Sequence, residues 1–266
     1  MNDEHRRRKL LSPERERLIF NALEGGAKTI FELSESLEVS EATIRRDLLS
    51  LESQGKIRRV HGGAELFKFP LHEPVFTEKA SINRAEKESI AHLALGFIDD
   101  NDTIYIDGGS TALELAKSLG EKKNLTVVTN SLMAAAELME SHHKLIIVGG
   151  EFRHLSRTLV GPLTSQTLNA LKIGKAFLGT IGFDAIDGIS TTDPNEAFTK
   201  ELVMRRAEKV FVLADSTKFT KSSLALSGTL DDIDVVITDS KISQKALKAL
   251  KTHKIEVVFQ TIAAQN

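Results

Sequence analysis

Several glycine- and hydroxyl-rich junctions in this sequence are built from the residue types that hold anions. "TIYIDGGST" runs from a β-rich stretch through Asp107, Gly108 and Gly109 into Ser110 and Thr111. "LTVVTNS" repeats the device with Thr129, Asn130 and Ser131, and "LIIVGGEFR" adds Gly149, Gly150 and the cation Arg153. Where such a junction opens a helix, unbonded backbone N–H groups, hydroxyls and the positive helix terminus converge, a combination suited to phosphate. Each junction alone reads first as a tight turn followed by a capped helix. Their recurrence is what points to an anion-friendly cleft. Further on, Glu196 and Lys200 stand four residues apart in "NEAFTKELV", an order that also suits an ordinary exposed ion pair.

A second set of residues suits a polyanion. "SEATIRRDLLSLESQGKIRRVHGGA" gathers its cations behind a short apolar helix. At about 100° per residue, Ile44, Leu48 and Leu51 form one stripe, with Arg46 nearly opposite, flanked by Ala42 and Thr43, and Arg45 to the side. Arg45 follows Glu41 by four residues, so a surface pair and a groove contact both stay open for it. Arg46 has no acidic residue three or four positions away, and groove contact is the expectation.

The elements that must position these cations are three helices and a hairpin. Ser12 caps the first, with Pro13 at its first position, and Leu18, Ile19, Ala22 and Leu23 recur at helical spacing before Gly25 or Gly26. Thr29 and Glu32 have capping-box spacing ahead of Ile30, Leu33 and Leu37, and Ser40 caps the third helix. Two short strands turned at Gly62-Gly63 would form a wing carrying Lys56, Arg58, Arg59 and His61 along a phosphate backbone.

The remaining chain alternates β-rich runs ("TIYID", "LTVVTN", "KLIIVGG", "AFLGTIGF", "KVFVLADS", "DVVITD", "EVVFQ") with helical candidates such as "STALELAKSL", "SLMAAAELMES" and "NEAFTKELVMRRAEK". This alternation predicts an α/β fold, a mainly parallel sheet with helices on both faces, in which ligands bind beyond the carboxyl ends of the strands. The expected organisation is a winged helix-turn-helix domain over 1–64, a linker over 65–80 in the proline-bearing "ELFKFPLHEPVFTEKA", and a larger sensor-type domain over 81–266.

The 266 residues are 41% hydrophobic and 27% charged, with net charge -2 and no Cys, which excludes disulfides and thiolate metal sites. The eight His show no paired ligand spacing, so no metal and no cofactor are expected. "MNDEHRRRKLL" lacks a signal-peptide core and no apolar run reaches spanning length, so a cytoplasmic, membrane-free protein is expected. With the net charge near zero, any nucleic-acid site must arise from local arrangement.

"VSEATIRRDLLSLESQGKIRRVHGGA" resembles the N-terminal signature of the DeoR family of bacterial transcription regulators. The resemblance implies a winged helix-turn-helix on double-stranded operator DNA and falls on Ser40, Thr43, Arg45, Arg46, Arg58, Arg59 and His61. "IYIDGGSTALELA", "LTVVTNS", "VGGEFR", "LVGP", "AFLGTIGFD", "GISTTDPNEAFTKELV" and "VLADSTKF" resemble successive blocks of that family's sensor domain, similar in fold to ribose-5-phosphate isomerase. In many members this domain binds a phosphorylated sugar or sugar alcohol. That implies effector contacts at Asp107, Gly109, Ser110, Thr111, Asn130, Gly150, Glu196 and Lys200, with Asp215 and Lys218 secondary. Lys200 would neutralise the ligand phosphate and Glu196 accept sugar hydroxyls. Gly174 departs from the family, which usually has an acidic residue there.

The expectation is therefore a repressor of sugar or sugar-alcohol utilisation, acting as a homodimer or homotetramer. The alternative is a phosphosugar isomerase with an accessory DNA-binding domain. Isomerisation needs a positioned carboxylate base. The isomerase blocks resembling "DGADE" and "REK" are here "GTIGFD" and "TKE", leaving Asp184 and Glu196 as bases. A third reading gives the α/β domain a role in assembly alone.

Overall fold

Three helices form where their apolar spacing places them: α1 (Ser12–Glu24), α2 (Ile30–Leu37) and α3 (Glu41–Ser53), the expected Ser12 cap lying outside the described side chains. The computed structural model describes residues 12–24, 26–53, 57–60, 62–66, 73–184, 186–219 and 221–260. The helices belong to the smaller of two units, Met1–Lys68, the larger being Phe69–Asn266. The capping box is complete: Glu32 N–H donates to the Thr29 hydroxyl at 3.1 Å, and Thr29 N–H to the Glu32 carboxylate at 2.7 Å. Thr43 N–H donates to Ser40 Oγ at 3.3 Å, which starts α3.

Ile44, Leu48 and Leu51 are fully buried against Ile19, Leu23 and Leu33, each worth about 1.5–3 kcal/mol of burial. Arg15 of α1 forks onto buried Asp47 of α3 at 2.7 and 2.9 Å, which fixes how α3 turns its other face outward. The hairpin pairs β2 (Ile57–Val60) with β3 (Gly63–Leu66), and β1 (Lys28–Thr29) adds an unexpected third strand on β3. Gly62 adopts φ 79°, and a Cβ on Gly63 would lie 2.1 Å from the Lys28 carbonyl, so the glycine pair serves both turn and close approach. Gly25 lies outside the described residues.

The larger unit opens with α4 (Phe76–Ser81), α5 (Arg84–Leu95), β4 (Thr103–Ile106), α6 (Ser110–Ser118), β5 (Thr126–Thr129) and α7 (Leu132–Leu138). Next come β6 (Lys144–Ile147), β7 (Glu151–Arg153), β8 (Thr158–Val160), α8 (Ser165–Asn169), β9 (Ile173–Gly179), β10 (Gly182–Asp184) and β11 (Gly188–Thr191). It ends with α9 (Pro194–Arg206), β12 (Ala207–Leu213), β13 (Ala225–Gly228), β14 (Val235–Thr238), α10 (Gln244–Thr252) and β15 (Glu256–Phe259).

Seven of these strands form a parallel sheet in the order β15-β14-β12-β9-β4-β5-β6. Ile104, Ile106, Phe177 and Phe211 pack on one face with Ile90, Ala94 and Leu115 of α5 and α6. Tyr105, Ala176, Val210 and Val236 pack on the other with Leu202, Val203 and Leu250 of α9 and α10. Both faces are covered, as a parallel sheet requires.

Two antiparallel sheets, β10-β11-β13 and β7-β8, lie outside the expectation. "AFLGTIGF" breaks into β9 and β10, and the last residues of "NEAFTKELVMRRAEK" belong to β12. Of the segment 65–80, read as a linker, the described residues 65–66 and 76–80 lie in regular elements, and 67–72 lie outside the described residues. Glu65 and Leu66 complete β3, while Glu73 and Phe76 are buried within the larger unit.

Candidate functional site

On α3, Ala42, Arg45 and Arg46 are exposed and Thr43 is half-buried, opposite the buried stripe. Arg45 pairs with Glu41 at 3.1 Å, both about half exposed, so the surface pair does form and is energetically slight. Arg46 makes no hydrogen bond or ion pair among the described residues. The Ser40 and Thr43 hydroxyls bond one another at 2.9 Å. Arg59 on β2 is half-buried with its Nε unpartnered among the described residues. Lys56, His61 and the side chain of Arg58 lie outside the described residues.

In the larger unit the strand order reverses between β4 and β9: the chain passes outward from β4 through β5 and β6, then returns to β4's other side. A crevice beyond the carboxyl ends at such a point is where open α/β sheets bind ligands. Asp107, immediately after β4, accepts from Gly179 N–H at 2.9 Å and from Lys200 Nζ. Lys200 also donates to the Gly179 carbonyl at 3.1 Å and lies 3.7 Å from Glu196. All three side chains are buried, so the exposed-pair reading of Glu196 and Lys200 is wrong. Their i,i+4 spacing gave no sign that α9 is covered on this side.

Burial alone would push the Lys200 ammonium down, but Asp107 and Glu196 outweigh it and hold it up. Burial pushes the Glu196 carboxyl up, opposed by Lys200 and Arg153. A Cβ on Gly108 would lie 2.0 Å from Thr158 Cγ2, so this glycine serves packing. Gly109 holds φ 118° with open space where a side chain would project, and α6 begins there with no side-chain cap. Ser110 and Thr111 in its first turn are buried.

Arg153 lies at the centre of an acidic ring. It bonds Glu73, Ser156 Oγ at 3.2 Å and Thr192 Oγ1 at 3.1 Å, with Asp193 at 3.4 Å and Glu196 at 3.2 Å. Burial would push the Glu73 carboxyl up, but Arg153, Lys79 and Thr192 prevail and hold it at about 2. Lys87 of α5 is buried, its Nζ donating to the Lys79 and Ile82 carbonyls, and Ser110 Oγ donates to the same Lys79 carbonyl at 3.3 Å. Burial pushes Lys87 down, with Asp215 opposing.

The other expected residues divide. Thr129 donates to the Ile106 carbonyl at 2.6 Å and accepts from Ser131 N–H, while Ser131 caps α7. Both hydroxyls are engaged within the fold. Asn130 donates to the Leu159 carbonyl at 3.0 Å, leaving its buried Oδ1 unpartnered among the described residues. Gly149 is exposed, and Gly150 approaches the Val160 backbone at what would be 2.9 Å from a Cβ. Asp184 accepts from Ile186 and Asp187 N–H groups, which ties it into its own turn. Buried Asp215 accepts from Asn83 at 3.1 Å and from Thr217. Half-buried Lys218 has no partner among the described residues, and burial pushes it down against the pull of Asp215.

Glu73, Lys79, Asn83, Lys87 and Thr192 were missed in the sequence. Among the described residues no helix is long and apolar enough to cross a membrane, and no group of three or more His, Asp or Glu could hold a metal ion.

The chain matches the model of the DeoR C terminal sensor domain over residues 82–240 and that of the DeoR-like helix-turn-helix domain over 21–68. Transcriptional repressor AccR of Agrobacterium fabrum is 38% identical over 210 residues, 78% of this chain and 81% of that protein. The lactose phosphotransferase system repressor of Lactococcus lactis is 38% identical over 228 residues, 84% of this chain and 89% of that one. Among solved structures, ribose 5-phosphate isomerase A from Methanocaldococcus jannaschii aligns with TM-score 0.39 and 19% identity over 52% of this chain and 55% of that one.

Proposed function

From the premise that this chain belongs to the DeoR family of DNA-binding transcription regulators, we propose that it represses a sugar or sugar-alcohol utilisation operon under control of a phosphorylated sugar. The observation that carries the reading is the cluster of charged and hydroxyl groups at the strand ends. An uncapped nine-residue helix opens there at Gly109, beside Ser110, Lys87 and the Asp107–Lys200 pair. Helix N–H groups and the cations Lys87 and Arg153 suit the phosphate, and the carboxylates of Asp107 and Glu196 suit the hydroxyls of a sugar.

Arg46 on the outward face of α3 reads a base edge, and Ser40, Thr43 and Arg59 position the reader on the phosphate backbone. Two or four copies of the chain match repeated half-sites. One relative's name, lactose phosphotransferase system repressor, supports a carbohydrate operon.

The raised Glu196 carboxyl favours a second reading, proton transfer on a phosphosugar. Against it, Asp184 is engaged in its own turn and Lys200 is neutralised by Asp107. A thermal-shift panel of phosphosugars decides: a saturating rise marks a binder, and operator titration with that sugar shows whether it switches affinity. Conversion of the sugar would establish the isomerase; no rise with any phosphosugar would remove the sensor role.

A further inference from the structure

An arm of the larger unit, residues 73–83, supplies oxygen acceptors to the very groups that would hold an anion. Glu73, whose side chain is 3% exposed, accepts from Arg153 and Thr192 and pairs with Lys79 at 2.7 Å. The Lys79 carbonyl accepts from Ser110 Oγ and from Lys87 Nζ, and the Ile82 carbonyl accepts from Lys87 as well. Phe76 anchors the arm, buried beneath the Arg157 guanidinium 5.4 Å from its ring, and Asn83 ties its end to Asp215. Guanidinium, ammonium and hydroxyl are thus each satisfied by the arm.

Charge decides what a ligand must do. Arg153 already faces the carboxylates of Glu73, Asp193 and Glu196. A phosphate dianion entering that ring meets like charges at short range, which favours the departure of one carboxylate. Asp193 caps α9 and Glu196 lies in its first turn, fixed to a helix packed on the sheet. Glu73 precedes a six-residue helix and stands five residues beyond Lys68, where the smaller unit ends.

We propose that residues 73–83 are an internal stand-in for the effector anion. Bound effector displaces the Glu73 carboxylate from Arg153 and the Lys79 carbonyl from Ser110 and Lys87, and the released arm carries the signal into the segment leading to the DNA-reading unit. This rests on the phosphosugar reading of the cleft. Ligand that binds only the arm-released state has its apparent affinity reduced by that state's population, so an arm docked nine-tenths of the time masks about tenfold.

The test uses the full chain, Glu73→Gln as an isosteric neutral variant, and inorganic phosphate and fructose 6-phosphate as probes in calorimetry. Amide exchange across residues 73–83 of the wild type is followed with and without each probe. Glu73→Gln should bind roughly tenfold or more tightly than wild type, and probe should speed exchange of the wild-type arm. Equal or weaker binding by Glu73→Gln, or arm exchange that is unchanged or slowed when probe binds, makes the arm a permanent anchor and overturns the proposal while the anion site stands. Failure of both probes to bind either protein overturns the anion site and this proposal with it. If Glu73→Gln does not fold, wild-type exchange decides alone.

Discussion

Replacing Lys200 by Met tests whether the Asp107–Lys200 contact is a buried pair with structural weight. The Lys200 and Asp107 side chains are 4% and 2% exposed. Without the ammonium, Asp107 keeps the Gly179 N–H at 2.9 Å, and Glu196 keeps only Arg153 against its burial. Removing one partner of a buried pair costs about 3–5 kcal/mol, against about 0.3–0.5 for an exposed i,i+4 pair, so the two cases differ roughly tenfold. For the 198 residues of Phe69–Asn266, that corresponds to a fall in Tm of about 6–20 °C. Asp107→Asn added to Lys200→Met removes the stranded charge while keeping an acceptor for Gly179, so the double variant should recover much of the loss. Circular dichroism melts and urea titrations of the double-mutant cycle measure both effects. A cost below about 1 kcal/mol for Lys200→Met, or a double variant no better than the sum of its singles, would refute the reasoning.

Arg46→Ala should weaken operator binding by about 1–3 kcal/mol with the helical signal intact, read by anisotropy at fixed salt; undiminished affinity removes Arg46 from the reading surface. Gly108→Ala sets a methyl 2.0 Å from Thr158 Cγ2 and should cost about 1–3 kcal/mol of stability. Thr158→Ser in that background deletes the clashing methyl and keeps the hydroxyl bonded to Ser156 at 2.7 Å, so failure to rescue would contradict the packing role. With its folded carboxyl at about 2 against an ordinary 4.5, Glu73 contributes stability that is full above the unfolded value and is lost as pH falls from there through about 2. Wild type should therefore lose about 3 kcal/mol more than Glu73→Gln over that window, and parallel curves in acid urea titrations would argue against it.

Local chemistry was legible in the sequence and distant pairing was not. Thr29 with Glu32, Gly62 with Gly63, and the apolar runs of β4, β5, β14 and β15 announce themselves because cap, turn and strand each depend on neighbours a few residues away. Glu73 finds Arg153 across 80 residues of chain, and nothing in a proline-bearing stretch predicts that. Arg15 and Asp47 each look like a surface charge until α1 and α3 are packed together. Glu196 and Lys200 mislead for the opposite reason. Their spacing has a familiar solvent-facing meaning, and only the strands packed on α9, with Asp107 reaching Lys200, change it. At the strand ends, Ser131 and Gly150 turned out to cap a helix and admit a hairpin, while the Gly109 junction kept its open helix start.

The strand order also governs how the larger unit assembles as the chain leaves the ribosome. β4 is the first of the seven parallel strands to be made, and it ends in the interior of the sheet, between β5 and β9. Its β5 side closes early, but its other side stays open until Ile173–Gly179 has been synthesised. A half-sheet of β4, β5 and β6 thus waits with an unpaired apolar edge, the kind that recruits foreign strands. Translation stalled before β9 should therefore yield aggregating fragments. Once β9 has docked, β12, β14 and β15 join outward in the order in which they are made, so a pause in that region leaves a growing margin on a sheet whose centre is already sealed.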